Sequence, residues 1–267
     1  VGSGTGRASR WVRLRRGLVG TLAIAGVAEL VVRVGLIDQR FVPPPSRVLV
    51  RLGAVLTDPT FRSDLAGTMW VWAAGLLIAT VLAVLLGLLL GTLPAVRDAT
   101  RMVIDVVRPI PSVAWIPLAL LVLGDGGRMK LTMVAWASLW PVLFNTVYAV
   151  RDVSPASLET ARAFGLGPLA VLRRVVLPSA APFIATGVRV SAALCLVVTI
   201  SVELLAPTRP GIGTYIYQST SVSALRTDLV LAGTLVAAVI GVLIDATLAW
   251  VAGRAFAWQA ATGRAPG

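Results

Sequence analysis

Six apolar runs of membrane-spanning length dominate this chain. They lie near Leu18 to Ile37, Met69 to Leu93, Met102 to Leu123, Leu131 to Val150, Ala180 to Leu205 and Leu229 to Val251. A bilayer core of roughly 30 Å is crossed by about 20 apolar residues in a helix, whose backbone polar groups all bond within the segment. Composition agrees: 57% of the 267 residues are hydrophobic, 13% are charged and the mean hydropathy is +0.87, an excess that one aqueous core cannot hide. The expected fold is all-α, a polytopic membrane protein with about six transmembrane helices. A soluble enzyme is close to excluded.

Arginine placement gives an orientation. Arg7, Arg10, Arg13, Arg15 and Arg16 crowd the start, Arg97 and Arg101 the second connection, Arg151, Arg162, Arg173 and Arg174 the fourth, and Arg254 and Arg264 the tail. In a six-span order all four segments share one side, which the positive-inside rule makes cytoplasmic. Residues 1–17 then form a basic cytoplasmic tail, 18–251 one membrane domain and 252–267 a second cytoplasmic tail, in a cell membrane. Arg40, Arg47, Arg51 and Arg62 in the first external stretch weaken the bias without reversing it. The formal charge of +12 reads as topology and anionic-leaflet contact rather than nucleic-acid binding. An arginine-rich start with Ala23-Ile24-Ala25 also fits a cleaved secretory signal; the apolar residues after it favour a retained span. Beyond it, Pro43, Pro44 and Pro45 fix a turn, and Ser46 is expected to cap an interfacial amphipathic stretch through Leu56.

Absences limit the chemistry. There is no histidine, so imidazole catalysis and His-ligated metal are excluded within the chain, and no metal site is expected. The single cysteine, Cys195, cannot form an intrachain disulfide. No Gly-rich phosphate cradle surrounds Lys130, so the chain is expected to bind no cofactor, and any ATP hydrolysis belongs to another subunit.

The longest internal polar interruption, 151–178, reads as two short helices around a glycine break. Ser154 before Pro155 is a helix start in which the hydroxyl is expected to cap and proline occupies the first turn. The helix runs to Phe164, Gly165 permits a positive-φ turn, and Gly167-Pro168 restart a helix over Leu169 to Val176 that Pro178 is expected to stop. Leu158, Ala161 and Leu172 fall on the face toward the bundle; Glu159, Arg162 and Arg173 fall on the outer one.

Glu159-Thr160-Ala161, Gly165, Val175 and Leu177-Pro178, at these spacings, resemble the EAA loop of ATP-binding-cassette (ABC) importer permeases, with Thr160 and Val175 as mild departures. Arg108 to Pro117, Leu143 to Thr146 and Arg226 to Leu229 are similar to the nitrate/sulfonate/taurine/bicarbonate branch. The resemblance covers about Phe41 to Val251. It implies a type I ABC-importer permease fold and a membrane subunit that carries a small solute, such as an organic sulfonate, taurine, nitrate or a related anion. It also implies a homodimer, partner ABC ATPase subunits that hold ATP and Mg, and an extracytoplasmic solute-binding protein. Glu159, Thr160, Ala161, Phe164, Gly165, Leu177 and Pro178 would belong to the ATPase-coupling contact. Two alternatives stay open: a permease of the same kind for a thiamine precursor or amino acid, and an ion-coupled secondary transporter. For an intramembrane enzyme, no paired aspartate motif stands out.

Polar groups within the runs complete the candidates. On insertion scales a charge at a helix centre costs roughly 2.5–3.5 kcal/mol, and a Leu, Ile, Val or Phe returns only about 0.3–0.6 kcal/mol. Arg189 and Glu203 in the fifth run are about 21 Å apart along a helix and need separate partners. Asp105 or Asp245 would suit Arg189 as structural in-membrane charges; Glu203 would be a pathway residue near the external mouth. Pro109, Pro111 and Pro117 break the third run, which places it beside the pathway, with Ser112, Trp115 and Asn145 as further candidates for substrate contact.

Overall fold

The computed structural model describes residues 5–39, 41–107, 110–208, 210–221 and 226–257. Arg40, Arg108, Pro109 and Arg264 lie outside the described residues, as do the side chains of Arg7, Arg10, Arg13 and Arg101. The helices are α1 (Thr5–Arg33), α2 (Pro45–Thr57), α3 (Pro59–Thr92), α4 (Pro94–Val107), α5 (Ile116–Leu123), α6 (Gly127–Arg151), α7 (Pro155–Ala163), α8 (Pro168–Val171), α9 (Leu177–Leu205), α10 (Ile212–Ser221) and α11 (Thr227–Ala255). Five of them begin on proline, at Pro45, Pro59, Pro94, Pro155 and Pro168. A first-turn residue has no intrahelical acceptor for its N–H, so proline loses nothing there and brings a helical φ.

Among the described residues four segments are long and apolar enough to cross a membrane: Pro59–Thr92, Gly127–Arg151, Pro168–Leu205 and Thr227–Ala255. The run expected as one span at Met102 to Leu123 is instead divided. α4 ends at Val107, a 3-10 turn occupies Ser112–Trp115, and α5 follows. Pro111 and Pro117 flank the turn and cannot donate the hydrogen bonds that a continuous helix would need.

The chain divides into two compact units, residues 1–62 with 215–236, and residues 63–214 with 237–267. In the first, α1 already starts at Thr5, so the basic tail shares a helix with the apolar run, whose Val19, Leu22, Ile24 and Val27 are exposed. Ser46 does not cap α2. Pro44 holds the cap position, and Ser46 instead donates its N–H (3.0 Å) and hydroxyl (2.7 Å) to Glu29, which also receives Arg33. Arg51 pairs with Asp228 at 2.7 Å, and Phe61 meets Tyr215 edge-on at 4.9 Å.

The second unit is held by α3, α6 and α9. Gly75, Gly87 and Gly91 of α3 lie against Val134, Thr146 and Val150 of α6, and a Cβ on any of them would sit 2.6–2.7 Å from the facing side chain. The sequence offset is the same at all three contacts, so α3 and α6 run parallel. Residues 93–126 therefore connect the C-terminal end of α3 to the N-terminal end of α6, which lies beside the start of α3. α9 packs antiparallel to α6: Gly187 lies against Asn145 and Pro141, and Ser191 donates to the Ser138 carbonyl. Buried Ser138, Thr146 and Thr199 each donate to the carbonyl four residues earlier, so these hydroxyls sit in an apolar core without needing a distant partner.

Candidate functional site

Residues 151–178 leave the C-terminal end of α6 and lead into α9. α7 is closed by a Schellman turn: Gly165 (φ 75°) donates to the Arg162 carbonyl at 2.9 Å and Leu166 to the Ala161 carbonyl at 3.1 Å. Only a residue tolerant of positive φ closes a helix this way without strain. Ser154, by contrast, does not cap through its hydroxyl. Its backbone carbonyl accepts from Ser157 (3.0 Å) and Leu158 (3.2 Å), and no side-chain cap bond forms.

Ala161 is buried in a cluster with Ala149, Val150, Val153, Val171, Val176 and Ala180, flanked by Leu158, Leu166 and Leu172. One face of α7 is thus fixed to the bases of α6 and α9. The opposite face is bare: Glu159, Thr160 and Arg162 are exposed, Phe164 is 83% exposed and Leu169 78%. Two large apolar side chains standing in solvent beside Glu159 and Arg162 are a surface built to be covered. Thr160 returns its hydroxyl to the Ala156 carbonyl (2.7 Å), which explains why a threonine fits this exposed position without disturbing the helix.

Pro178 does not stop the second helix. Leu172–Val176 form a π turn in which the Leu177 N–H reaches the Leu172 carbonyl, and α9 continues from Leu177 with Pro178 in its first turn. A widened turn at this point accommodates the pyrrolidine ring that a regular helix would exclude. Leu177 and Pro178 are exposed and so belong to the hinge between loop and span.

At the other end of α9, Glu203 is fully buried. It accepts the Thr68 hydroxyl (3.0 and 2.9 Å) and the Gly213 N–H (2.9 Å), while Thr68 accepts the Ile212 N–H (2.8 Å). Asp64, 1% exposed, accepts the Gly211 N–H at 3.1 Å. Lys130 donates to the Thr208 and Pro210 carbonyls. Glu203, expected as a pathway residue near the external mouth, is enclosed within this chain and anchors the loop before α10. Asp64, Thr68 and Lys130 escaped the sequence reading because their partners lie up to 147 residues away.

The remaining candidates divide. Ser112 and Trp115 sit half-buried in the 3-10 turn, and the buried Trp115 indole N–H has no acceptor among the described residues. Asn145 donates to the Pro141 carbonyl within α6 (2.8 Å) at the closest approach of α9. Arg189 makes a bidentate pair with Asp245, Nε to Oδ1 at 2.6 Å and Nη2 to Oδ2 at 2.7 Å. Asp105 is exposed on α4. No cluster able to hold a metal ion exists among the described residues.

The family described as binding-protein-dependent transport system inner membrane component matches residues 83–256. The chain is 31% identical over 247 residues to the taurine transport system permease protein TauC of Escherichia coli, covering 90% of this chain and 89% of that one. It is 26% identical to the bicarbonate transport system permease protein CmpB of Synechocystis sp., with 93% of each covered. Its fold is similar to that in the crystal structure of a bacterial ABC transporter involved in the import of the acidic polysaccharide alginate, with a TM-score of 0.58, 19% identity, and 92% of this chain and 99% of that one covered.

Proposed function

Since this chain belongs to the family of inner membrane components of binding-protein-dependent transport systems, we propose how its parts carry out that work. It is the permease subunit of an ABC importer, and ATP hydrolysis resides in a separate subunit. In our reading α7 and the turn at Phe164-Gly165 seat in a groove on that cytoplasmic ATPase, which holds ATP and Mg. Two copies of the chain enclose the pathway between them, with both termini cytoplasmic. An external binding protein delivers a small solute: an organic sulfonate, taurine, nitrate or a related anion. The taurine and bicarbonate relatives support that range.

One observation carries the proposal: a short helix buried along one face and bare along the other, between two membrane spans. Because Ala161 and Leu158 are packed into the bases of α6 and α9, a push on the bare face is delivered to both spans. ATP binding would draw two such helices together and tilt the spans to open the outer side; hydrolysis would reset them.

The test uses Glu159→Ala and Gly165→Ala in the complete transporter, reading solute uptake, ATP hydrolysis and the amount of protein in the membrane. Both variants are expected to insert normally and lose most uptake. Unchanged uptake in both, or uptake that follows an ion gradient without the ATPase, would overturn the reading.

A further inference from the structure

α10 is capped by other helices. The first four N–H groups of a helix lack intrahelical acceptors, and Gly211, which precedes α10, has no side chain to supply one. Asp64 of α3 takes the Gly211 N–H (3.1 Å), Thr68 of α3 the Ile212 N–H (2.8 Å) and Glu203 of α9 the Gly213 N–H (2.9 Å). Thr68 donates in turn to Glu203, and Lys130 of α6 donates to the Thr208 and Pro210 carbonyls just upstream. The seat leaves no room for side chains. A Cβ on Gly211 would lie 2.5–2.8 Å from the Glu203 carboxylate, one on Gly213 would lie 2.6 Å from the Ile200 carbonyl oxygen, and one on Gly67 would lie 2.5 Å from Pro210. A local cap is thus given up so that α3 and α9 together supply it.

Two properties make this joint a moving part. A helix of 10 residues is marginal by itself in water, so the first turn of α10 depends on α3 and α9 staying together at the Leu205 end. The joint is also of a kind that opens. Asp64, Thr68, Lys130 and Glu203 are each at most 3% exposed, yet Asp64 follows the start of α3 at Pro59 closely, Lys130 the start of α6 at Gly127, and Glu203 precedes the end of α9 at Leu205. Water reaches such positions once the helices part, and every donor and acceptor exchanges its partner for a water molecule. The α3–α6 seam has no such exchange, because parting it would bare apolar side chains and glycine notches. We propose that Asp64, Thr68 and Glu203 form a latch that holds α10 in its seat without nucleotide and lets its first turn go when ATP binding draws α9 away from α3 at this end. This rests on the permease reading above and adds the element that reports which way the spans are tilted.

The complete transporter is reconstituted in lipid vesicles, and amide hydrogen exchange of a peptide covering 206–217 is followed without nucleotide and after trapping with ATP and vanadate. Exchange is expected to be about tenfold faster in the trapped state, while peptides across Gly87 and Thr146 stay unchanged. Equal protection in both states, or faster exchange without nucleotide, overturns the latch. Thr68→Val keeps the shape and removes the hydroxyl; it is expected to speed exchange about tenfold without nucleotide and to narrow the difference between states, and Thr68→Ser to restore both. Protection that Thr68→Val leaves intact also overturns the latch, and should that variant fail to insert, the wild-type comparison decides alone. Uptake is read in the same vesicles. ATP-driven uptake beside a peptide that never changes sinks this inference alone; wild-type protein that shows no ATP-driven uptake of taurine, nitrate or bicarbonate sinks the permease reading with it.

Discussion

The two ends of α9 solve the same problem in opposite ways. At the Leu177 end the backbone of 151–167 satisfies itself through the Schellman turn and local carbonyl acceptors, so its charged and aromatic side chains stand exposed. At the Leu205 end the backbone groups of Thr208, Pro210 and Gly211 and of the first turn of α10 are taken up by Asp64, Thr68, Lys130 and Glu203 from three different helices. Where side chains are consumed by backbone, substitution should cost stability. Where backbone is self-sufficient, substitution should cost function.

The largest effect is expected for Glu203→Ala. It removes the acceptor of the Gly213 N–H and Thr68 hydroxyl at a fully buried position, a loss of about 3 kcal/mol. In a chain of this size the melting temperature in detergent should fall by about 6–12 °C; an unshifted transition would break the contrast. Next is Gly213→Ala, whose Cβ would lie 2.6 Å from the Ile200 carbonyl oxygen, backbone that cannot swing aside. Overpacking of that kind costs about 2 kcal/mol, again read by thermal unfolding.

Gly165→Ala should cost only about 1 kcal/mol, because nothing lies within 4 Å and the penalty is the positive φ alone. A drop as large as that of Gly213→Ala would show that the inner turn is not locally self-contained. The smallest stability change belongs to Glu159→Ala, within about 0.5 kcal/mol for an exposed position. Its measurable effect is expected in uptake per ATP hydrolysed; a normal ratio would remove the functional half of the comparison.

The same contrast explains what was legible in the sequence. The inner loop was readable because its determinants are local: Pro155 at a helix start, Gly165 at a turn, and an apolar spacing that assigns Ala161 inward and Glu159 outward. Even there, the expected side-chain cap at Ser154 is not made, and neither is the one expected at Ser46 on α2. At Ser46 a glutamate seventeen residues upstream competed for the hydroxyl and won. Pro178 read as a stop because pattern reasoning assumes a regular helix, and a π turn lies outside that assumption. Glu203 was noticed as an in-membrane acid, but its role depended on Thr68 and Gly213, which no window around it contains. The Arg189–Asp245 pair is one of two that the sequence allows, because opposite charges in apolar runs have few choices.

The glycine notches of α3 have a mechanical consequence. Val134, Thr146 and Val150 sit in them like teeth, so sliding one rod along the other would drive each side chain into backbone. α3 and α6 are therefore locked into a single beam. One end of that beam runs into α7, and the other carries Asp64, Thr68 and Lys130. The three notches therefore oppose sliding of one rod along the other over about four turns of helix.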